Sequence, residues 1–218
     1  TTNLRSTSAA LDSKNSNHGI SGKGLRHPLI SAKHVVTNDF SWPQGKRLLL
    51  ITGSNMAGKS TFIRTLGINQ VLSLAGASVF AESFETQLAP VRSCIRVSDS
   101  VRDGFSYFYS EVQRLAEIVR LTKSGPPCFY LVDEVFKGTN NQERLIGSRA
   151  VLLELAKSKS FGFVTTHDLE LAKLEGLDNW HFKDEIHDGQ MTFSYKILPG
   201  PCPTTNALRI IEAAGIKI

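Results

Sequence analysis

The stretch Gly53-Ser54-Asn55-Met56-Ala57-Gly58-Lys59-Ser60-Thr61 decides the fold. Its spacing is glycine, four residues, then Gly-Lys followed by Ser or Thr, the pattern of a loop that wraps phosphate groups. The flanks supply the context this pattern needs. Arg47 to Thr52 is a short apolar run suited to a buried strand, and Phe62 to Ala75 carries helical periodicity. Gly53 and Gly58 permit backbone conformations and a close phosphate approach that a Cβ would hinder. Successive backbone N–H groups of Ser54, Asn55, Met56, Ala57 and Gly58 then point at an anion, and the helix opening at Lys59 adds its positive end. Lys59 is placed to reach β- and γ-phosphate oxygens. The Ser60 hydroxyl, followed by Thr61, is placed to take one position on an octahedral Mg²⁺. The alternative is a Gly-rich turn that only caps a helix, and the strand before it argues against that.

A second signal is Phe129-Tyr130-Leu131-Val132-Asp133-Glu134, a buried strand ending in two carboxylates. Adjacent charges belong at a strand's end rather than its interior, and the carboxyl end is the ligand-binding edge of an open α/β sheet. Alternation sends the two side chains in opposite directions, so they are expected to have different jobs. Asp133 is the candidate to hold Mg²⁺ through its water shell, and Glu134 to orient or deprotonate an attacking water. A solvated turn is the plain alternative. Phe161-Gly162-Phe163-Val164-Thr165-Thr166-His167-Asp168 repeats the theme of a strand with a polar end. His167 is either a solvated loop residue or, from its place beside the same sheet, a γ-phosphate contact; Asp168 is a candidate N-cap for a following helix.

The chain has 218 residues and is 41% hydrophobic, enough for the core of one α/β domain. Its formal charge of +5 is a weak hint of a polyanionic partner. Cys94, Cys128 and Cys202 have no metal-ligand or disulfide spacing, which suits a reducing compartment, and Cys128 beside Phe129 reads as core. No apolar stretch is long enough to cross a bilayer and no signal peptide is evident, so no membrane association and a cytoplasmic location are expected. Residues 1–24, rich in Ser, Thr, Asn, Lys and Gly, read as a linker or mobile arm, with the domain at 25–218. Beyond it, strands are expected at Leu48–Thr52, Cys94–Ser98, Cys128–Val132 and Phe161–Thr165. Helices are expected at Lys59–Ala75, Phe108–Thr122, Asn141–Lys157 and Asp168–Leu174. This alternation predicts an α/β fold, a mostly parallel sheet covered on both faces. Met191–Ile197 reads as an edge or antiparallel strand, and a last helix is expected at Asn206–Ala214 after Pro199, Pro201 and Pro203.

Asn55 to Thr61, Asp133-Glu134 followed by Lys137-Gly138-Thr139, and Thr165-Thr166-His167 together closely resemble the ATPase domain of the MutS family of DNA mismatch-repair proteins, relatives of the ABC ATPases. Arg26-His27-Pro28-Leu29, Asn38-Asp39 and Gly104 to Glu111 extend the likeness over most of Leu25 to Ile218; the last resembles the family's signature loop and the helix behind it. The resemblance implies a P-loop NTPase that binds and hydrolyses Mg-ATP in a head-to-tail sandwich of two subunits, a homodimer switch coupled to DNA. It further implies that Ser106 touches the γ-phosphate of the partner's site. Gly138, Thr139 and Asn140 would lie in the loop crossing between the sites, and Asn55 would cover the phosphates. Tyr195 would pack on the adenine, though an ordinary strand aromatic is an equal reading of that residue.

The chain also departs from the family pattern. Phe105 stands where the signature has a basic residue, and the loop Ser98–Asp103 before it is short. No mismatch-reading wedge, helical lever and clamp, or terminal helix-turn-helix accompanies the ATPase segment, so DNA recognition is expected to depend on regions outside this sequence. Two rival classes are another ABC-type ATPase head, of a transporter or chromosome-organising assembly, and a nucleotide-binding module that does not hydrolyse. The stretch Ser106-Tyr107-Phe108-Tyr109 is unlike the transporter signature, and Glu134 argues for turnover.

Overall fold

Leu48, Leu49, Leu50 and Ile51 are apolar at every position, so a strand made of them must be covered on both faces, and it is. The computed structural model of the chain describes residues 10–11, 19–95, 107–136, 139–187 and 190–203. Its central element is a six-stranded sheet. β4 (Leu48–Thr52) is flanked by β8 (Phe161–Thr165) and β9 (Asp178–His187); beyond β8 come β7 (Phe129–Asp133) and β6 (Val91–Cys94). These five run parallel, and β10 (Gln190–Pro199) closes the edge antiparallel to β9.

Alternation along these strands feeds two cores. Leu49, Ile51, Phe129, Leu131, Phe161 and Phe163 share a cluster with Phe62, Ile63 and Leu66 of α1 (Lys59–Leu74). Leu48, Leu50, Tyr130, Val132 and Val164 share the other with Leu115 and Ile118 of α2 (Tyr107–Ser124) and with Leu152 and Leu155 of α3 (Asn141–Ala156). The expected sheet with helices on both faces is therefore present.

A second, four-stranded sheet joins the α1 side. It has the order β1 (Ala10–Leu11), β5 (Ser83–Thr86), β2 (Ile20–Leu25), β3 (Asn38–Ser41). Ile20, Phe40, Trp42 and Phe84 enter the same cluster as Phe62 and Phe163. Polar residues on α1 explain how the sheets are tied. Gln70 donates to the carbonyls of Gln87 (2.9 Å) and Ala89 (3.1 Å) and accepts from the Thr86 hydroxyl, while Asn69 accepts the Phe80 N–H at 2.6 Å. Each of these buried side chains thus finds partners, as burial demands.

The structure corrects several sequence expectations. The stretch 1–24, read as a linker, contains β1 and most of β2, with Ile20 fully buried. Gly22 imitates loop composition, yet a Cβ there would lie 2.8 Å from the Ser83 carbonyl, so close pairing with β5 requires it. The strand expected at Cys94–Ser98 is instead Val91–Cys94, set by pairing of Val91 with Phe129. Asp168–Leu174 forms only a short 3₁₀ turn at Leu171–Lys173. β10 is longer than Met191–Ile197 and is bulged between Phe193 and Ile197. The helix expected at Asn206–Ala214 lies outside the described residues.

Candidate functional site

β4 delivers the chain to the carboxyl edge of the sheet at Thr52, and the loop that follows turns on its two glycines. Gly53 has φ 139°, and a Cβ there would come 2.6 Å from the Phe182 carbonyl oxygen. Gly58 has φ 114° and is the N-cap residue of α1, with the Tyr195 ring 3.3 Å from where a Cβ would stand. Any other L-residue would be strained at both. Between them Ala57 is buried and Met56 is 82% exposed at φ 70°. Lys59 is only 5% exposed, and its ammonium donates to the carbonyl oxygens of Gly53 (2.7 Å) and Ser54 (2.8 Å). The cation is thereby held across the mouth of its own loop.

One turn of α1 meets the end of β7. The Ser60 hydroxyl donates to Asp133 Oδ1 at 2.8 Å, and the Thr165 hydroxyl from β8 donates to the same oxygen at 2.8 Å. Arg64, one turn further along α1, stands 3.8 Å from Asp133 Oδ2. Asp133 is 5% exposed, so these partners offset the cost of burying its charge. A hydroxyl and a carboxylate are hard oxygen donors of the kind Mg²⁺ selects, and the pair is already adjacent. Among the described residues there is no cluster of three or more His, Cys, Asp or Glu that could hold a metal by itself.

Glu134 leaves the strand in a left-handed conformation, φ 58°, and its N–H bonds to the carbonyl and hydroxyl oxygens of Thr165, each at 3.1 Å. Such a backbone costs about 1–2 kcal/mol for a residue with a side chain. The reward is direction: Glu134 Oε1 lies 3.4 Å from His167 Nδ1. The two carboxylates do face different partners as the sequence predicts, but a turn after Asp133, rather than strand alternation, separates them. Asp168 accepts the Glu170 N–H at 3.1 Å and lies 3.9 Å from Arg144 of α3, so it caps a turn and not a helix.

A cavity of about 140 Å³ opens on the other side of the loop. Gly58, Thr61, Tyr195, Val35, Val36 and His34 are among the residues that line it. Tyr195 sits at the β10 bulge with φ 53°, and Asn38 fixes it by donating to the Tyr195 carbonyl (3.0 Å) and accepting the Ile197 N–H (2.8 Å). His27, at the back, accepts the Leu29 N–H on Nδ1 at 3.2 Å, which leaves the proton of the neutral ring on Nε2. Burial, and then the charge of Arg64, hold its pKa below the ordinary histidine value.

The fold thus brings together Lys59, Ser60, Asp133, Glu134 and His167, and Tyr195 lies close to Gly58 of the same loop. Ser106 and Gly138 lie outside the described residues. Thr139 donates to Glu143 at 2.6 Å, and Asn140 is the N-cap of α3, accepting the Glu143 N–H at 2.9 Å. Thr165 and Asn38 stand in the motifs that carry the family likeness, but their contacts with Asp133 and the β10 bulge have no local signal, and nothing local announces Arg64.

Residues 49–217, which carry the phosphate loop, both carboxylates, His167 and Tyr195, match the family profile described as MutS domain V. The chain belongs to the MutS family. This MutS domain is 31% identical over 211 residues to a DNA mismatch repair protein MutS of Nitratidesulfovibrio vulgaris (strain DP4), covering 91% of this chain and 23% of that protein. It is 30% identical over 195 residues to a DNA mismatch repair protein MutS of Thermus thermophilus, covering 88% and 23%. It is 34% identical over 205 residues to MutS protein homolog 4 of Mus musculus, covering 87% and 21%. The MutS domain described here therefore spans about a quarter of the length of these relatives. Among its described residues, no helix is long and apolar enough to cross a membrane.

Proposed function

We propose that this domain binds Mg-ATP and hydrolyses it, and that nucleotide-driven pairing of two such heads is its output. The observation that carries the reading is the divergence at the end of β7: Asp133 is bonded to Ser60, while Glu134 is turned away toward His167. One carboxylate is committed to the loop and the other to the residue that follows β8.

In this reading Gly53, Ser54, Asn55, Met56, Ala57, Gly58 and Thr61 wrap the phosphates with backbone N–H groups, and Asn55 covers them. Lys59 exchanges two carbonyl partners for phosphate oxygens, a gain because an anionic acceptor adds charge–charge attraction that a neutral carbonyl lacks. Ser60 and Asp133 would hold Mg²⁺. When bound, that ion offsets the charge on the β- and γ-phosphates. Glu134 takes the proton of a water that attacks the γ-phosphorus, and ADP and inorganic phosphate leave. His167 hydrogen-bonds the γ-phosphate and, while it holds Glu134, restricts where that carboxylate can point. Tyr195 and Val35, which both line the cavity, would offer apolar area to the adenine ring.

The family resemblance supplies the rest. Ser106 completes the partner's site from across a homodimer, the loop through Gly138, Thr139 and Asn140 links the two sites, and closure is passed to DNA-holding regions outside this chain. The relatives named as DNA mismatch repair proteins support duplex DNA as the partner.

Sedimentation velocity of Glu134→Gln with and without Mg-ATP tests the pairing. Blocked hydrolysis accumulates the closed form, so the variant is expected to be a monomer alone and a dimer with Mg-ATP. A chain that binds Mg-ATP and stays monomeric at all concentrations contradicts the self-sufficient switch.

A further inference from the structure

The turn that aims Glu134 is unusual in having two left-handed residues, Glu134 at φ 58° and Phe136 at φ 59°, neither of them glycine. Side-chain-bearing residues rarely rest there, so neighbouring elements must hold the turn. β8 holds its start through Thr165. Its end is held by α2. Glu111, only 2% exposed, accepts the Phe136 N–H on Oε1 at 2.9 Å. One helical turn before Glu111, Phe108 brings its ring to 6.0 Å from that of Phe136. On the far side α3 makes room, because a Cβ on Gly147 would stand 2.6 Å from the Phe136 ring.

A buried carboxylate is costly unless it accepts hydrogen bonds, and one bound to a backbone N–H restrains that backbone strongly. We infer that Glu111 is a positioning residue for the hydrolytic step: its bond to the Phe136 N–H fixes the turn that aims the Glu134 carboxylate. The aim of Glu134 consequently follows the position of α2, which joins the start of that helix to the reacting end of β7. This rests on the ATPase reading above and adds to it a residue that touches neither nucleotide nor water.

The full chain is compared as wild type, Glu111→Ala, Glu111→Gln and Gly147→Ala, measuring kcat, ATP Kd and hydrogen exchange of the Phe136 amide. Glu111→Ala is expected to lower kcat on the order of 10- to 100-fold, the scale of a misplacement near 1 Å, with ATP Kd within about twofold. Its Phe136 amide exchanges faster. Glu111→Gln keeps an acceptor oxygen at the same place and recovers most of kcat. Gly147→Ala suits a helix but crowds the Phe136 ring, so it lowers kcat without weakening ATP, and it decides the matter if Glu111→Ala does not fold. Equal kcat in wild type and Glu111→Ala overturns the inference, as does a loss that Glu111→Gln shares in full or one that appears only in Kd. A wild-type chain that binds ATP and never turns it over overturns the hydrolytic reading itself, and the inference with it.

Discussion

At the phosphate end of the cleft, one unbroken stretch, Gly53 to Thr61, supplies the glycines, the amides, the cation and the hydroxyl; at the base end, the cavity wall is gathered from His27, Val35, Asn38 and Tyr195. At the first end Lys59 is bonded to its own loop, and Ser60 ties that loop to Asp133 of β7. In the second, Asn38 holds the β10 bulge against β3 through two backbone bonds, and Lys196 in the bulge bonds the Thr37 carbonyl. If the proposed function holds, chemistry common to all nucleoside triphosphates comes mostly from one stretch of sequence, whereas the feature that would distinguish one base from another is assembled across long separations.

Three substitutions probe this contrast, and the largest effect belongs to the phosphate end. Lys59→Ala removes the only positive side chain that the loop itself carries, and ATP and inorganic tripolyphosphate should both weaken roughly 100-fold or more in a calorimetric titration. A loss confined to ATP would mean that Lys59 acts through the base pocket. Asn38→Ala comes next, because it leaves the buried Ile197 N–H without this acceptor. The expected cost is about 1–3 kcal/mol of stability, read as a fall of several degrees in Tm. An unchanged melting curve would show that the bulge stands without the clamp. The smallest effect is Tyr195→Ala: ATP should weaken up to about tenfold and tripolyphosphate not at all, since only stacking area is lost. Equal weakening of both would mean that the ring serves to pack Gly58, which it approaches closely.

The same contrast explains what could be read from the sequence. Runs such as Leu48–Thr52, Phe129–Asp133 and Phe161–Thr165 are buried along their whole length, so their apolar character alone marks them as central parallel strands. The phosphate loop and the two carboxylates are legible because each is contiguous and tied to a strand end. β2 is masked in the sequence by its glycines, of which Gly22 is needed for close pairing with β5, and Ser83–Thr86 is too short to show alternation. The left-handed turn at Glu134 has no sequence signature, for neither Glu134 nor Phe136 is a residue type that favours it. Thr165, Arg64, Asn38 and Glu111 act on residues far away in sequence, and only the folded chain brings them into contact. The helix expected after Asp168 failed because the polar cap was present without enough turns behind it.

The central claim is that Asp133 and Glu134, adjacent in sequence, divide binding from hydrolysis. Single-turnover hydrolysis and equilibrium binding of Mg-ATP by wild type and Glu134→Gln test it most directly. Glu134→Gln is expected to keep wild-type affinity, with the hydrolysis rate lowered on the order of 10²- to 10⁴-fold, the contribution of a positioned general base. Near-normal hydrolysis by Glu134→Gln, or loss of ATP binding in step with hydrolysis, would contradict it.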